Sequence, residues 1–238
     1  MTLRTYSGCI AYRHDRHGET GREHFSVSVF AGGRTVRATC ELDDADLLRD
    51  VTYSIDEAWR PLDAYVRLSV RDCVRGAAWY RFTDDGIECE QWNATAGRST
   101  QFVSLPRRAR LFAPHPLVVD GWQGRAYDLG SGPGRQRLTH CANSSSTPDG
   151  STGPLACVVY KDLEYLGRAR IRTSAGTFDC RHMKIHPVMG EMAAWPPLEF
   201  WAAGEDWLLV RMRWELLEST YELVEIQGSV DCRPAVPA

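Results

Sequence analysis

The residues best suited to chemistry lie in one run, Ser174-Ala-Gly-Thr-Phe-Asp-Cys-Arg-His-Met-Lys-Ile-His-Pro187. A turn signal, Ser174-Ala175-Gly176, opens what reads as a β-strand, and side chains alternate sides along an extended chain. Phe178, Cys180, His182, Lys184 and His186 then share one face, and Thr177, Asp179, Arg181, Met183 and Ile185 the other. If the Phe178 face lines a cavity, His182 serves as general acid or base, because imidazole titrates near neutrality. Lys184 then holds an oxyanion or lowers a neighbour's pKa, while Phe178 and Cys180 bed an apolar ligand. Both faces are mixed, so the pattern leaves open which of them looks inward. His182 and His186 stand about 13 Å apart on a straight strand at roughly 3.3 Å per residue, too far to share a metal. No metal site is expected, because Thr177, Phe178, Ile185 and Pro187 disfavour the helix on which that spacing would suit zinc.

A second cluster is Tyr160-Lys-Asp-Leu-Glu-Tyr165, in which Tyr160, Asp162 and Glu164 share a strand face. A tyrosine beside carboxylates can donate to a developing oxyanion, and an exposed edge strand would carry the same residues. Trp195, Phe200, Trp201, Trp207 and Trp214 accompany Pro196-Pro197, more aromatic surface than a core alone needs. A flat apolar pocket for a ring-bearing ligand would use it, and we assign Trp201, Trp207 and Trp122 to such a lining. His115 and His140 flank the segment that carries Trp122, within reach of a cavity mouth or of solvent.

These residues have to be positioned by strands. Phe25, Val27 and Val29 fall in phase, as do Val36, Ala38, Cys40 and Leu42, and Gly32-Gly33 between the two runs is a hairpin signal. Val51, Tyr53 and Ile55, then Val66, Leu68 and Val70, then Tyr80 and Phe82 continue the alternation at short intervals. Strands resume from residue 155, where Val210, Met212, Trp214 and Leu216 alternate with Arg211, Arg213 and Glu215. One helix is expected over His115–Leu129, from the helical offsets of Leu117, Val118, Gly121, Trp122 and Arg125. Residues 131–154, rich in Ser, Gly and Pro, read as a long exposed loop, a lid or an insertion. The expected architecture is all-β: a strongly bent antiparallel sheet or barrel of about ten strands in one domain over 1–238, with one helix covering an opening.

Bulk properties narrow the function. The 238 residues are 43% apolar and 25% charged, with a net charge of −3, so no basic field recruits nucleic acid. No run approaches a membrane span, and the first residues lack a basic-then-apolar leader, so a cytoplasmic location is expected. Eight cysteines, spaced 16 to 52 residues apart without a Cys-x-x-Cys pair, read as reduced thiols acting as small core residues. Phosphate-loop, dinucleotide, zinc-protease and nucleophile-elbow motifs are absent, so no cofactor is expected.

From about residue 155 the chain resembles bacterial LolA-like curved-sheet domains. Thr173-Ser-Ala-Gly-Thr-Phe178, Trp207-Leu-Leu-Val-Arg-Met-Arg-Trp214 and Thr220-Tyr-Glu-Leu-Val-Glu225 carry the resemblance, over roughly the C-terminal third. It implies a bent sheet wrapped around an apolar cavity. Two functions fit such a container. One is a cofactor-independent lyase, dehydratase or isomerase, acting by proton transfer on a small hydrophobic, ring-bearing molecule through His182 with Lys184 or Tyr160. The other is a carrier that binds a hydrophobic ligand without turnover; a homodimer is left open in either case. The two differ in whether ionisable groups face the cavity.

Overall fold

In a computed structural model, which describes residues 3–188 and 190–231, the alternating runs become one rolled sheet. The N-terminal half is an antiparallel meander: β1 (Arg4–His14), β2 (Gly18–Phe30), β3 (Gly33–Leu42), β4 (Leu47–Asp56), β5 (Pro61–Val70), β6 (Cys73–Phe82), β7 (Gly86–Asn93) and β8 (Gly97–Ser104). The in-phase residues read from sequence point inward: Phe25 and Val27, Val36 and Cys40, Val51 and Tyr53, Val66 and Leu68, Tyr80 and Phe82 are all buried. Burying one face of each strand in this way is what fixes the register, since a one-residue slip would expose the whole set.

The second half adds β9 (Leu111–Ala113), α1 (Leu117–Gln123), β10 (Gly134–Asn143), β11 (Cys157–Thr173), β12 (Gly176–Pro187), β13 (Leu198–Ala203), β14 (Leu208–Trp214) and β15 (Ser219–Gly228). β15 pairs with β1, so both halves join in one sheet of order β8-β7-β6-β5-β4-β3-β2-β1-β15-β14-β13-β12-β11-β10-β9. All neighbours are antiparallel except β9 and β10. The sheet has fifteen strands, more than the ten or so expected, and its edges, β8 and β9, are not paired with each other. Side chains draw the rolled sheet together. Gln101 on β8 donates to the carbonyl of Ala156 (2.9 Å) and accepts from its N–H (3.0 Å), as a strand neighbour would.

Two other expectations change. The helix is one short element of seven residues, continued by a 3-10 turn over Gly124–Ala126, because the glycines that weaken helix propensity are needed for packing. A Cβ on Gly121 would sit 2.4 Å from the carbonyl oxygen of Trp207, and one on Gly124 2.2 Å from the Trp207 ring. The glycines thus let α1 lie directly on the segment entering β14. The long loop also shrinks: β10 takes residues 134–143, and 144–156 folds inward with Ser144 and Ser145 buried. One hydrophobic core extends from Tyr6 to Leu223, with α1 inside the curl of the sheet.

Candidate functional site

The row Phe178, Cys180, His182, Lys184 does not face inward as a unit. Phe178 and Cys180 are buried, and so are Met183 and Ile185, which have the opposite parity. The slip lies at a line of bulges. Leu166 is an extra residue on β11, between Tyr165 opposite Met183 and Gly167 opposite His182. Val210 is an extra residue on β14, between the partners of Trp201 and Ala202. A bulge twists the strand locally and re-aims side chains, so the inner face passes from Cys180 to Met183. His182 and Lys184 are left on the outer surface.

There His182 stacks on Trp201, with ring centroids 4.5 Å apart and planes 15° from parallel. Its Nε2 lies 2.8 Å from Glu199 Oε1, and Lys184 Nζ reaches the same oxygen at 3.4 Å. His186 meets Glu164 in the same manner, 2.6 Å away on the neighbouring strand. These are cross-strand polar pairs on the outer face of the sheet. The placement of His182 and Lys184 in a cavity wall is therefore corrected, and Trp201 belongs with them outside. Tyr160 is also outward and exposed, touching only the rim of an inner chamber. Trp207 is buried under α1 with the Arg181 guanidinium 4.6 Å from its ring centroid, and Trp122 is buried against Tyr53 and Trp59. Phe178, Cys180, Trp122 and Trp207 are core residues that border neither the cleft nor the chamber described next.

What does face inward is a different set. At one end of the rolled sheet a cleft of about 550 Å³ opens among the β1–β2, β3–β4 and β14–β15 turns. Leu42, Leu117, Met212, Trp214, Leu217 and Tyr221 supply its apolar wall. A smaller chamber of about 110 Å³ adjoins it, walled by Val159, Ile185, Met192, Trp195 and Trp214. The two spaces share His115, Asp120, Pro148, Leu198 and Trp214, so Asp120 stands at their junction. Trp195 and Trp214 pack edge to face at 5.9 Å in the chamber wall, whereas Trp201, Trp207 and Trp122, the lining expected from sequence, border neither space.

The polar floor is built around α1. Glu23, fully buried on β2 beside Phe25, accepts from the N–H groups of Leu117 (2.5 Å) and Val118 (2.9 Å) and from Tyr12 Oη (3.1 Å). It satisfies the orphan donors at the start of the helix. Burial pushes the Glu23 carboxyl above its ordinary value, while the two helix N–H groups pull it back. Arg49, inward on β4, donates to the carbonyls of Asp149 (2.6 Å) and His115 (3.4 Å), tying the 144–156 loop to the helix entry. His115 Nδ1 lies 3.0 Å from Ser144 Oγ. Burial, and then the charges of Arg49 and Lys161, push the imidazole down to about 3, so it is neutral at physiological pH.

Asp120 projects one turn into α1. Its carboxylate accepts from the Gln123 amide, and Gln123 Oε1 accepts from Lys161 Nζ at 2.8 Å. Burial raises Asp120 to about 7, opposed by the Lys161 charge, so a carboxyl that opens onto the cleft changes protonation near neutrality. Lys161 is pushed down from its ordinary value, first by burial, with Cys141 and Asp120 pulling it back. Such a group can accept or donate a proton within the cleft. No cluster of three or more His, Cys, Asp or Glu side chains suited to a metal occurs among the described residues.

Glu23, Arg49, Asp120 and Lys161 had not stood out as functional in sequence. A signal was present: Glu23 runs in phase with Phe25 and Val27, Arg49 with Val51 and Tyr53, and Lys161 with Val159 and Leu163. A charge in the buried phase of a strand requires an interior partner or a cavity. Of the seven described cysteines, Cys9, Cys40, Cys89, Cys141 and Cys180 are buried as small core residues; Cys232 lies outside the described residues. No described helix is long and apolar enough to cross a membrane.

No known protein family and no curated protein matches the sequence. Solved structures match its shape. The chain superposes on a beta-barrel-like protein of the domain of unknown function DUF1849 from Brucella abortus with a TM-score of 0.58, over 96% of this chain and 99% of that one, at 11% identity. A DUF1089 family protein from Pseudomonas aeruginosa matches 82% of this chain and 90% of its own, at 11% identity and a TM-score of 0.46. The barrel-like architecture therefore extends over the whole chain, beyond the C-terminal third in which the curved-sheet resemblance was read.

Proposed function

We propose that this protein binds a small amphipathic molecule in the cleft at the open end of its rolled sheet. The supporting observation is the lining itself: aliphatic and aromatic walls converge on a floor of ionisable groups, with Asp120 open to both spaces. Ligand sites combine apolar walls with a few placed polar groups in this way. Binding of a hydrophobic ligand without turnover is the second of the two functions that fit such a container. Titrating the protein with the neutral fluorophore N-phenyl-1-naphthylamine tests the reading. Saturable one-to-one binding, with energy transfer from Trp214 that Trp214→Phe diminishes, is the expected result. Absence of saturable binding, or binding unaltered by Leu217→Trp at the mouth, would refute it.

One observation favours turnover as a second reading. Asp120 titrates near neutrality inside the cleft, which suits proton transfer on a bound ligand. In that case the acid–base residue is Asp120, in place of His182, Lys184 and Tyr160. Asp120→Asn would then abolish turnover of a bound substrate while leaving its uptake measurable.

A further inference from the structure

The inner chamber contains a cation with unused hydrogen-bonding capacity. Lys161 is almost fully buried, and its one hydrogen bond goes to the neutral Gln123 amide, with no carboxylate within ion-pair distance among the described residues. An ammonium has three donors, so two are left to face the space beside it. Gln123 stands between Lys161 and Asp120, accepting from the first and donating to the second. Asn143 borders the same chamber, and its buried Oδ1 has no partner among the described residues; turned over, its amide offers two further donors. Burying a cation without a counter-charge is costly, and a ligand anion would remove that cost.

Resting on the cleft reading above, we propose that the chamber is a carboxylate site for an apolar-tailed acid, with Lys161 pairing with the ionised head and Asp120, carrying its proton, donating to the same head. The apolar tail then lies along Trp214 and Leu198, which line both spaces. A ligand carboxylate beside an ionised Asp120 would be repelled, whereas a carboxyl–carboxylate pair shares one proton. Binding is therefore coupled to uptake of a proton by Asp120. Glu23, Arg49 and Lys161 face Asp120 from β2, β4 and β11, and His115, Asp149 and Tyr221 share its cleft. His115 is neutral throughout the relevant range, and His14 and His17 stand at the mouth of the cleft.

Decanoate and decanol differ only in the head, so competition of each against N-phenyl-1-naphthylamine isolates it. At pH 6 decanoate should displace the probe at least about tenfold more effectively than decanol, the worth of a charge-assisted pair. Between pH 6 and pH 8 decanoate affinity should fall about tenfold, as the proton on a group titrating near 7 becomes scarce, while decanol affinity stays level. Lys161→Met should bring decanoate down to the level of decanol, and Asp120→Asn should flatten the pH dependence, which separates Asp120 from His14 and His17. Equal displacement by the two ligands in the unmodified protein at pH 6 overturns the carboxylate site and leaves the cleft reading intact. A pH-independent decanoate affinity overturns the role of Asp120. Failure of the probe itself to bind overturns both readings, and these comparisons need no variant to fold.

Discussion

Substituting Gly121 by alanine tests the placement of α1, on which the proposed site depends. In an exposed helix interior this change stabilises by up to about 1 kcal/mol, because alanine is the better helix former. Here the new Cβ would lie 2.4 Å from the carbonyl oxygen of Trp207, 3.0 Å from the Leu209 nitrogen and 3.3 Å from its Cα. The first contact is about 1 Å shorter than ordinary van der Waals contact, and all three atoms are backbone that cannot rotate away. Overpacking costs about 1–3 kcal/mol, and contact with rigid backbone puts this case at the upper end, roughly 2–3 kcal/mol, so the net effect is a destabilisation of about 1–2 kcal/mol after the helix gain of about 1 kcal/mol is subtracted. For a chain of this length that lowers Tm by roughly 2–8 °C, read by thermal or urea unfolding followed by circular dichroism. Relief requires α1 to move away from β14, which also displaces Asp120 and weakens binding of the cleft probe. A Tm that rises by the helix-propensity gain, with probe affinity unchanged, would refute the close approach of α1 to β14.

Glu23→Gln replaces a helix-capping carboxylate by an amide with one acceptor oxygen, leaving either the Leu117 or the Val118 N–H unpaired; urea unfolding should show a loss of about 1–3 kcal/mol, and an unchanged midpoint would contradict the cap. His182→Ala should leave probe binding intact and cost less than about 1 kcal/mol, as a partly exposed cross-strand contact does; loss of binding would return His182 to the site. Asp120 has a folded pKa of about 7, above its ordinary value of 3.8, so its contribution to stability is full below the unfolded pKa and is lost as pH rises from about 4 through 7. Thermal melts of Asp120→Asn and the unmodified protein should accordingly differ more in favour of the variant at pH 8 than at pH 4.5, and parallel curves would argue against the shift.

The N-terminal meander was legible because its cues are local. Gly32-Gly33 sets a hairpin, and the Val36-Ala38-Cys40 and Val51-Tyr53-Ile55 phases select the buried face without reference to the rest of the chain. Residues 131–154 read as one loop because Ser, Gly and Pro crowd both ends of the segment; Gly134–Asn143 between them has one Gly and no Ser or Pro, and it pairs as β10 between β11 and β9. The glycines of α1 look like helix breakers in sequence and prove to be contact points with Trp207.

Alternation along the chain thus determined which side chains travel together, and hence an all-β container with one helix. It did not determine which of those sets ends up inside β12. That depends on Leu166 and Val210, bulged residues on β11 and β14 far apart in sequence, which shift the inner face by one residue and turn His182 and Lys184 outward. The same rolling of the sheet brings Glu23, Arg49, Asp120 and Lys161 to one floor from four separate elements. Each was visible as a charge in a buried phase or on a helix, but their convergence is a property of the rolled sheet, because only long-range pairing decides which strands face one another across the interior.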